Sequence, residues 1–201
     1  MQKKLYNFVD LTLDKIHGDT PLVPSKVFFT RGVGKHKENL YSFELALRDA
    51  GIEKFNLVRV SSIYPPGAKI VQKATGLREL KPGQIVFCVM AEMRSNEPNR
   101  LMAASVGLAL PTDKKMYGYL SEHHCFGMTE KTAGDYTEDL AATMLASTLG
   151  ANIDKDISWN EKKEEWKIQG HLVKTTNYTQ SAIVDKNGLW TTVVSAAVFV
   201  P

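Results

Sequence analysis

Two runs, QIVFCVMAEM (residues 84–93) and LWTTVVSAAVFV (residues 189–200), are apolar at nearly every position instead of every second one. A strand reads this way when both of its faces are covered. Strands of that kind cannot form a single sheet with one wet face. They require layers, and helices stacked outside packed sheets meet the demand.

The rest of the chain supplies the elements. Residues 24 to 30, PSKVFFT, read as a strand, and RGVGKHKEN after them as a polar, glycine-containing loop. Ser42 to Ala50 is helical: Phe43, Ala46, Leu47 and Ala50 share one face, and Gly51 stands where a C-terminal cap belongs. A strand follows at about 55 to 63 and stops at Pro65, Pro66 and Gly67, since proline has no N–H for a ladder. LMAASVGLAL and MYGYLSEHHC read as further strands. Thr129 opens the longest helix, about 129 to 149, with Tyr136, Leu140, Met144 and Thr148 at four-residue steps and Gly150 beyond its end. EWKIQGHLVKTTNY, TQSAIV and LWTTVVSAAVFV complete the strands, and DKNG has the composition of a hairpin turn between the last two. No repeat or linker-like shift divides the chain, so 201 residues read as one α/β domain.

Composition narrows the function. Hydrophobic residues at 43% and charged residues at 23% are those of a soluble globular protein. The formal charge of +3 comes from 25 basic and 22 acidic side chains scattered together, without the basic stripe of a nucleic-acid binder. The N-terminal MQKKLYNFVDLTLDK is broken by charges and is not a secretory signal, and no run approaches the ~20 apolar residues of a membrane span. Cys88 and Cys125 lie in apolar runs, as reduced thiols of a cytoplasmic protein do.

Against this background Ser61 and Ser62 are conspicuous, because two adjacent hydroxyls near the end of an apolar strand need partners or a use. One reading makes them small residues bonded to nearby backbone. In the other, the Ser62 hydroxyl adds to the carbonyl of Ser61 and converts the amide to an ester. Elimination across Ser62 and hydrolysis then leave an N-terminal ketone, a pyruvoyl group. Spacing does not choose between them.

The run FELALRDAGIEKFNLVRVSSIYPPGAKI, Phe43 to Ile70, resembles the signature of the pyruvoyl-dependent arginine decarboxylases, with a helix ending in Ala-Gly-Ile, an Asn-Leu strand, a Ser-Ser pair and a Pro-Pro turn. Ala109 to Pro111 and Gly118 to Glu122 are similar to later elements of that family, and the likeness runs from about residue 24, more weakly after 150. The resemblance implies a four-layer αββα sandwich and spontaneous cleavage between Ser61 and Ser62, giving a small N-terminal and a larger C-terminal chain. It implies a pyruvoyl group from Ser62 as the sole cofactor, a Schiff base with the substrate amine, and release of CO2 from L-arginine to give agmatine, for polyamine synthesis or acid resistance. It further implies a homotrimer or a multiple of it, with sites between subunits.

Residue by residue, the resemblance makes Glu122 the proton donor, on the strand face it shares with Leu120 and His124, where burial raises a carboxyl pKa. Asn56 serves processing, with its amide donating to the Ser61 carbonyl. Six residues of extended strand span about 20 Å, so a neighbouring subunit or a bent chain must bring Asn56 there. Ser61 and Leu47 contribute to substrate binding, and Glu44 occupies the position where the family has an aspartate for the guanidinium, one methylene longer. That departure leaves lysine or ornithine as alternative substrates, and a non-cleaving trimeric scaffold as an alternative to any enzyme. Glu122, His123, His124 and Cys125 alternate between strand faces and do not converge on a metal. Gly32 and Gly34 read as a turn, not a phosphate cradle, Trp159, Trp166 and Trp190 as core or interface anchors, and residues 1 to 23 as an extension of unassigned role.

Overall fold

A computed structural model describes residues 22–150, 157–160, 165–168 and 171–201. Most of the N-terminal extension and residues 169–170 of the expected EWKIQGHLVKTTNY strand lie outside the described residues, as do the side chains of Trp159 and Trp166. The elements are β1 (Lys26–His36), α1 (Asn39–Ala50), β2 (Asn56–Arg59), β3 (Ile63–Tyr64), β4 (Lys69–Ile70), α2 (Lys73–Glu79), β5 (Ile85–Ser95), β6 (Leu101–Pro111), β7 (Gly118–Phe126), α3 (Glu130–Thr148), β8 (Ile157–Asn160), β9 (Glu165–Ile168), β10 (His171–Ile183) and β11 (Trp190–Val200).

The strands form two sheets, ordered β2-β5-β11-β1-β4 and β3-β7-β6-β10-β9-β8. Between them lies a core of Val27, Phe29, Val89, Ala91, Val106, Leu108, Leu120, Val193 and Phe199. The alternate residues of the first sheet, Phe28, Val86, Cys88, Met90, Val194 and Val198, meet Ala46, Leu47 and Ala50 of α1 on its outer face. On the outer face of the second sheet, Ala109 and Val173 pack on Ala141, Leu145 and Ala146 of α3. The result is the αββα sandwich expected, and β5 and β11 are covered on both faces as their sequences require.

Four local expectations are corrected. RGVGKHKEN does not form a loop straight after Thr30: β1 continues to His36, fully paired with β11. Its glycines serve packing, because a Cβ on Gly32 would stand 2.3 Å from the Ala46 carbonyl oxygen and one on Gly34 2.1 Å from that of Ser42. In α3 the face that packs inward carries Ala133, Gly134, Thr137, Ala141 and Leu145, while Tyr136 and Thr148 are exposed and Leu140 and Met144 half-buried. Small residues face the sheet there because Gly107 of β6 lets the helix backbone come within 2.2 Å of where a Cβ would be.

The third correction concerns the C-terminal strands. HLVKTTNY and TQSAI are one continuous strand, β10, and DKNG is not a hairpin turn between partners: β10 pairs with β6 in one sheet, β11 with β1 and β5 in the other. The segment does turn, with Gly188 at φ 78°, but it carries the chain from sheet to sheet. The fourth is the strand at 55–63, which breaks. β2 runs parallel to β5 in the first sheet, and β3 runs antiparallel to β7 in the second.

Candidate active site

That break is where Ser61 and Ser62 lie. Val60 still donates its N–H to the Cys88 carbonyl at 3.0 Å, holding the chain to the first sheet. Two residues later the Ser62 carbonyl accepts from Leu120 N–H of β7 at 2.7 Å, in the second sheet. The serine pair is therefore the span between two anchored ends. Inside it, the Ser61 carbonyl oxygen accepts from the Ile63 N–H at 3.1 Å, closing a three-residue turn centred on Ser62.

This geometry explains why serines are tolerated. Neither residue is in a ladder, Ser61 is exposed and Ser62 half-buried, and neither hydroxyl hydrogen-bonds to another described residue. The oxygen that acquires negative charge when a nucleophile attacks the Ser61 carbonyl already has a backbone donor aimed at it. The Ile63 N–H is a donor that sequence does not reveal, because it depends on the turn and not on a side chain; it is additional to the Asn56 amide expected there.

Glu122 is two residues along β7 from Leu120, the residue that binds Ser62, and on the same face as Leu120 and its ladder partner Val106. It is exposed to solvent. The protein around it nevertheless removes enough water to push its carboxyl pKa up, with Arg59 of β2 and His124 pulling the other way. His123 turns to the opposite face, its ring centroid 4.5 Å from that of Tyr136 on α3.

Asn56 is held elsewhere. Its Nδ2 donates to the Gly83 carbonyl at 2.7 Å at the start of β2, and at the rise of an extended strand Ser61 is about 17 Å farther on. Together with Leu47, Phe43, Phe55, Leu57, Met90, Arg59, Glu92 and Arg94 it lines a cavity of about 380 Å³. Ser61 lines a different recess, of about 280 Å³, with Val60, Ile63 and Phe87. Glu44 lines neither: its carboxylate accepts from Arg48 Nε at 3.0 Å along the surface of α1.

A two-sheet sandwich whose chain crosses from sheet to sheet at paired serines, with a carboxyl of raised pKa two residues along β7 from the crossover's anchor, defines the class: an αββα sandwich with its candidate site at the crossover. Comparison with known sequences makes it specific. The profile of the family described as pyruvoyl-dependent arginine decarboxylase matches residues 26–201, and the chain belongs to that family. It is 62% identical over 179 residues to a probable pyruvoyl-dependent arginine decarboxylase of Chloroherpeton thalassium, an overlap of 89% of this chain and 98% of that one. It is 58% identical to the pyruvoyl-dependent arginine decarboxylase of Methanococcoides burtonii, over 89% and 99% of the two chains. With that of Nitrosopumilus maritimus it shares 55% identity over 88% and 97%.

Proposed function

We infer that the chain is a decarboxylase that converts L-arginine to agmatine and CO2, using a pyruvoyl group made from its own Ser62 and no external cofactor. The observation that carries the reading is the three-residue turn at the sheet crossover, which presents the Ser61 carbonyl, hydrogen-bonded to Ile63 N–H, beside the Ser62 hydroxyl. Attack by that hydroxyl forms a C–O bond at Ser61 and breaks the Ser61–Ser62 amide C–N bond. Loss of the Ser62 α-proton then expels the Ser61 carboxylate, and water releases ammonia from the remaining end. The chain parts into residues 1–61 and 62–201.

The pyruvoyl ketone supplies an electrophile for the substrate amine and a sink for the electron pair left when CO2 departs. The chain's own residues do the rest. Glu122, held near Ser62 through the Leu120 bond and with its proton affinity raised, returns the proton to the α-carbon. Leu47 and Asn56 line a cavity of ligand-binding size. Because Asn56 and Ser62 are far apart along one chain, we assign each site to two copies, in a homotrimer whose ring brings Asn56 of one protomer to Ser62 of the next.

We place the enzyme in the cytoplasm. Both cysteines are free, and burial pushes the Cys88 thiol to about 11, which suits a reducing compartment. No helix among the described residues is long and apolar enough to cross a membrane. Intact mass after expression, with CO2 release from arginine, tests the whole reading. Two fragments and turnover are expected, whereas Ser62→Ala should stay in one piece and release none. A wild-type chain of full mass, or one that turns over lysine and not arginine, would overturn it.

A further inference from the structure

The chain that follows Ser62 walls a separate cavity, lined by none of Ser62, Glu122 and Asn56. It holds about 700 Å³, the size of a small-ligand site, and is built from β3 and the turn after it, β4, the end of β6 with the loop to β7, and β10. Tyr64, Leu110, Pro111 and Met116 make its sides apolar. Tyr64 is 3% exposed, and its hydroxyl donates to the Ala68 carbonyl at 2.9 Å, which closes the turn against the ring.

The charge around that apolar space has one sign. Lys69, Lys114 and Lys174 line it, and no carboxylate among the described residues does. Asp113, on the same loop as Lys114, turns its Oδ1 to the backbone N–H of Lys115 at 2.9 Å. Neither the Lys69 nor the Lys114 ammonium has a carboxylate partner among the described residues. Such a lining repels arginine and agmatine, which rules the cavity out as a second substrate site. It favours the opposite: a negative head that accepts from the ammoniums, on a body that covers the apolar walls.

We propose that this cavity binds a small organic anion, a carboxylate or phosphate on an apolar body, with Lys69 and Lys114 as its charge partners. The inference lies beyond the decarboxylase reading and does not depend on it. Lysine suits the role, because its ammonium is a point charge on a flexible apolar stem and can follow a head group over an apolar wall. Since Tyr64 and Pro65 belong to the chain leaving Ser62, an occupant braces the segment just beyond the serine pair.

The test titrates the full chain by calorimetry with probes that share an eight-carbon body and differ in the head: octanoate, octyl phosphate, 1-octanol and octylamine. At least one of the two anions should bind about tenfold tighter than octanol, octylamine should bind more weakly than octanol, and salt should shrink the anion's advantage. The tighter anion identifies the head group. Lys69→Gln combined with Lys114→Gln, both at exposed positions, should remove most of that advantage and leave octanol binding as it is. Hydrogen exchange locates the occupant, with slowing expected at residues 64–70 and 112–116. Anions that bind no tighter than octanol, a double variant that binds them like wild type, or slowing confined to other segments overturns the proposal. So does a double variant that loses the wild-type assembly in sedimentation, because the cavity then belongs to a contact with a second copy.

Discussion

Burial raises the carboxyl pKa of Glu122, and the opposing charges of Arg59 and His124 do not cancel the effect. The consequence for catalysis has a definite sign. In the proposed mechanism the acid form is the useful one, so kcat should fall as pH rises through a pKa that lies above the ordinary glutamate value. Arg59→Gln deletes the larger of the two opposing charges and should move that alkaline limb to higher pH, and a limb that stays or moves down would contradict the assignment. Glu122→Gln should lower kcat by about 10²–10⁴ while leaving the chain cleaved, read by single-turnover assay and mass. The stability linkage runs in the opposite direction. A carboxyl whose folded pKa exceeds its unfolded value costs stability once pH passes the unfolded pKa, and the cost is complete above the folded one. Glu122→Gln should therefore raise Tm at neutral pH and leave it unchanged at pH values where the glutamate is protonated in both states, the pattern of a residue kept for function at the expense of stability.

At the scale of elements, α1 is where packing and function share a constraint. It carries Leu47 to the cavity and Asn39 and Phe43 to Arg94, and its position is fixed by Gly32 and Gly34 beneath it. Gly34→Ala puts a methyl against backbone that cannot turn aside. It should cost at least ~2 kcal/mol, or about 4–8 °C in Tm, and raise KM for arginine as the helix is pushed outward. A Tm within a degree of wild type would refute the tight approach. The same glycines mark the boundary of what sequence reveals. The periodicity of α1 and the two-sided apolarity of β5 and β11 are local facts and are legible. Whether a glycine pair is a turn or a groove for a helix depends on a partner that local spacing does not contain. The inward face of α3 has the same cause, since spacing picks out its bulkiest residues and the interface with Gly107 admits only its smallest. DKNG has the chemistry of a tight turn wherever the chain reverses, and that its flanking strands part shows only in their pairings, β10 with β6 and β11 with β1 and β5, with Ser195 Oγ donating across the sheets to the Tyr178 carbonyl at 2.6 Å. At the site, the serine pair and Glu122 are recognisable singly. Their adjacency is not, because it rests on the pairing of β3 with β7.

The whole molecule has to reconcile two facts about one short stretch of chain: Asn56 is clamped to Gly83 at one end of it, and Ser61 and Ser62 cross between sheets at the other, about 17 Å away. In the homotrimer proposed above, each protomer would offer Asn56 to one neighbour and receive it from the other, which resolves this. The arrangement predicts complementation. Ser62→Ala alone cannot be cleaved, and Asn56→Ala alone should remain largely in one piece. When the two are co-expressed and mixed trimers are purified through a tag on the Ser62→Ala chain, the Asn56→Ala chain that follows a tagged neighbour regains a working asparagine beside its intact serine. Closure of the ring guarantees at least one such junction in every mixed trimer: the single Asn56→Ala chain where two are tagged, and one of the two where one is tagged. At least half of the untagged chains should then appear in mass spectra as two fragments, with borohydride trapping labelled arginine on the larger one. If mixed trimers form and their Asn56→Ala chains remain as intact as in the homotrimer, Asn56 acts within its own chain, and the strand from Asn56 to Ser62 must fold back on itself in solution.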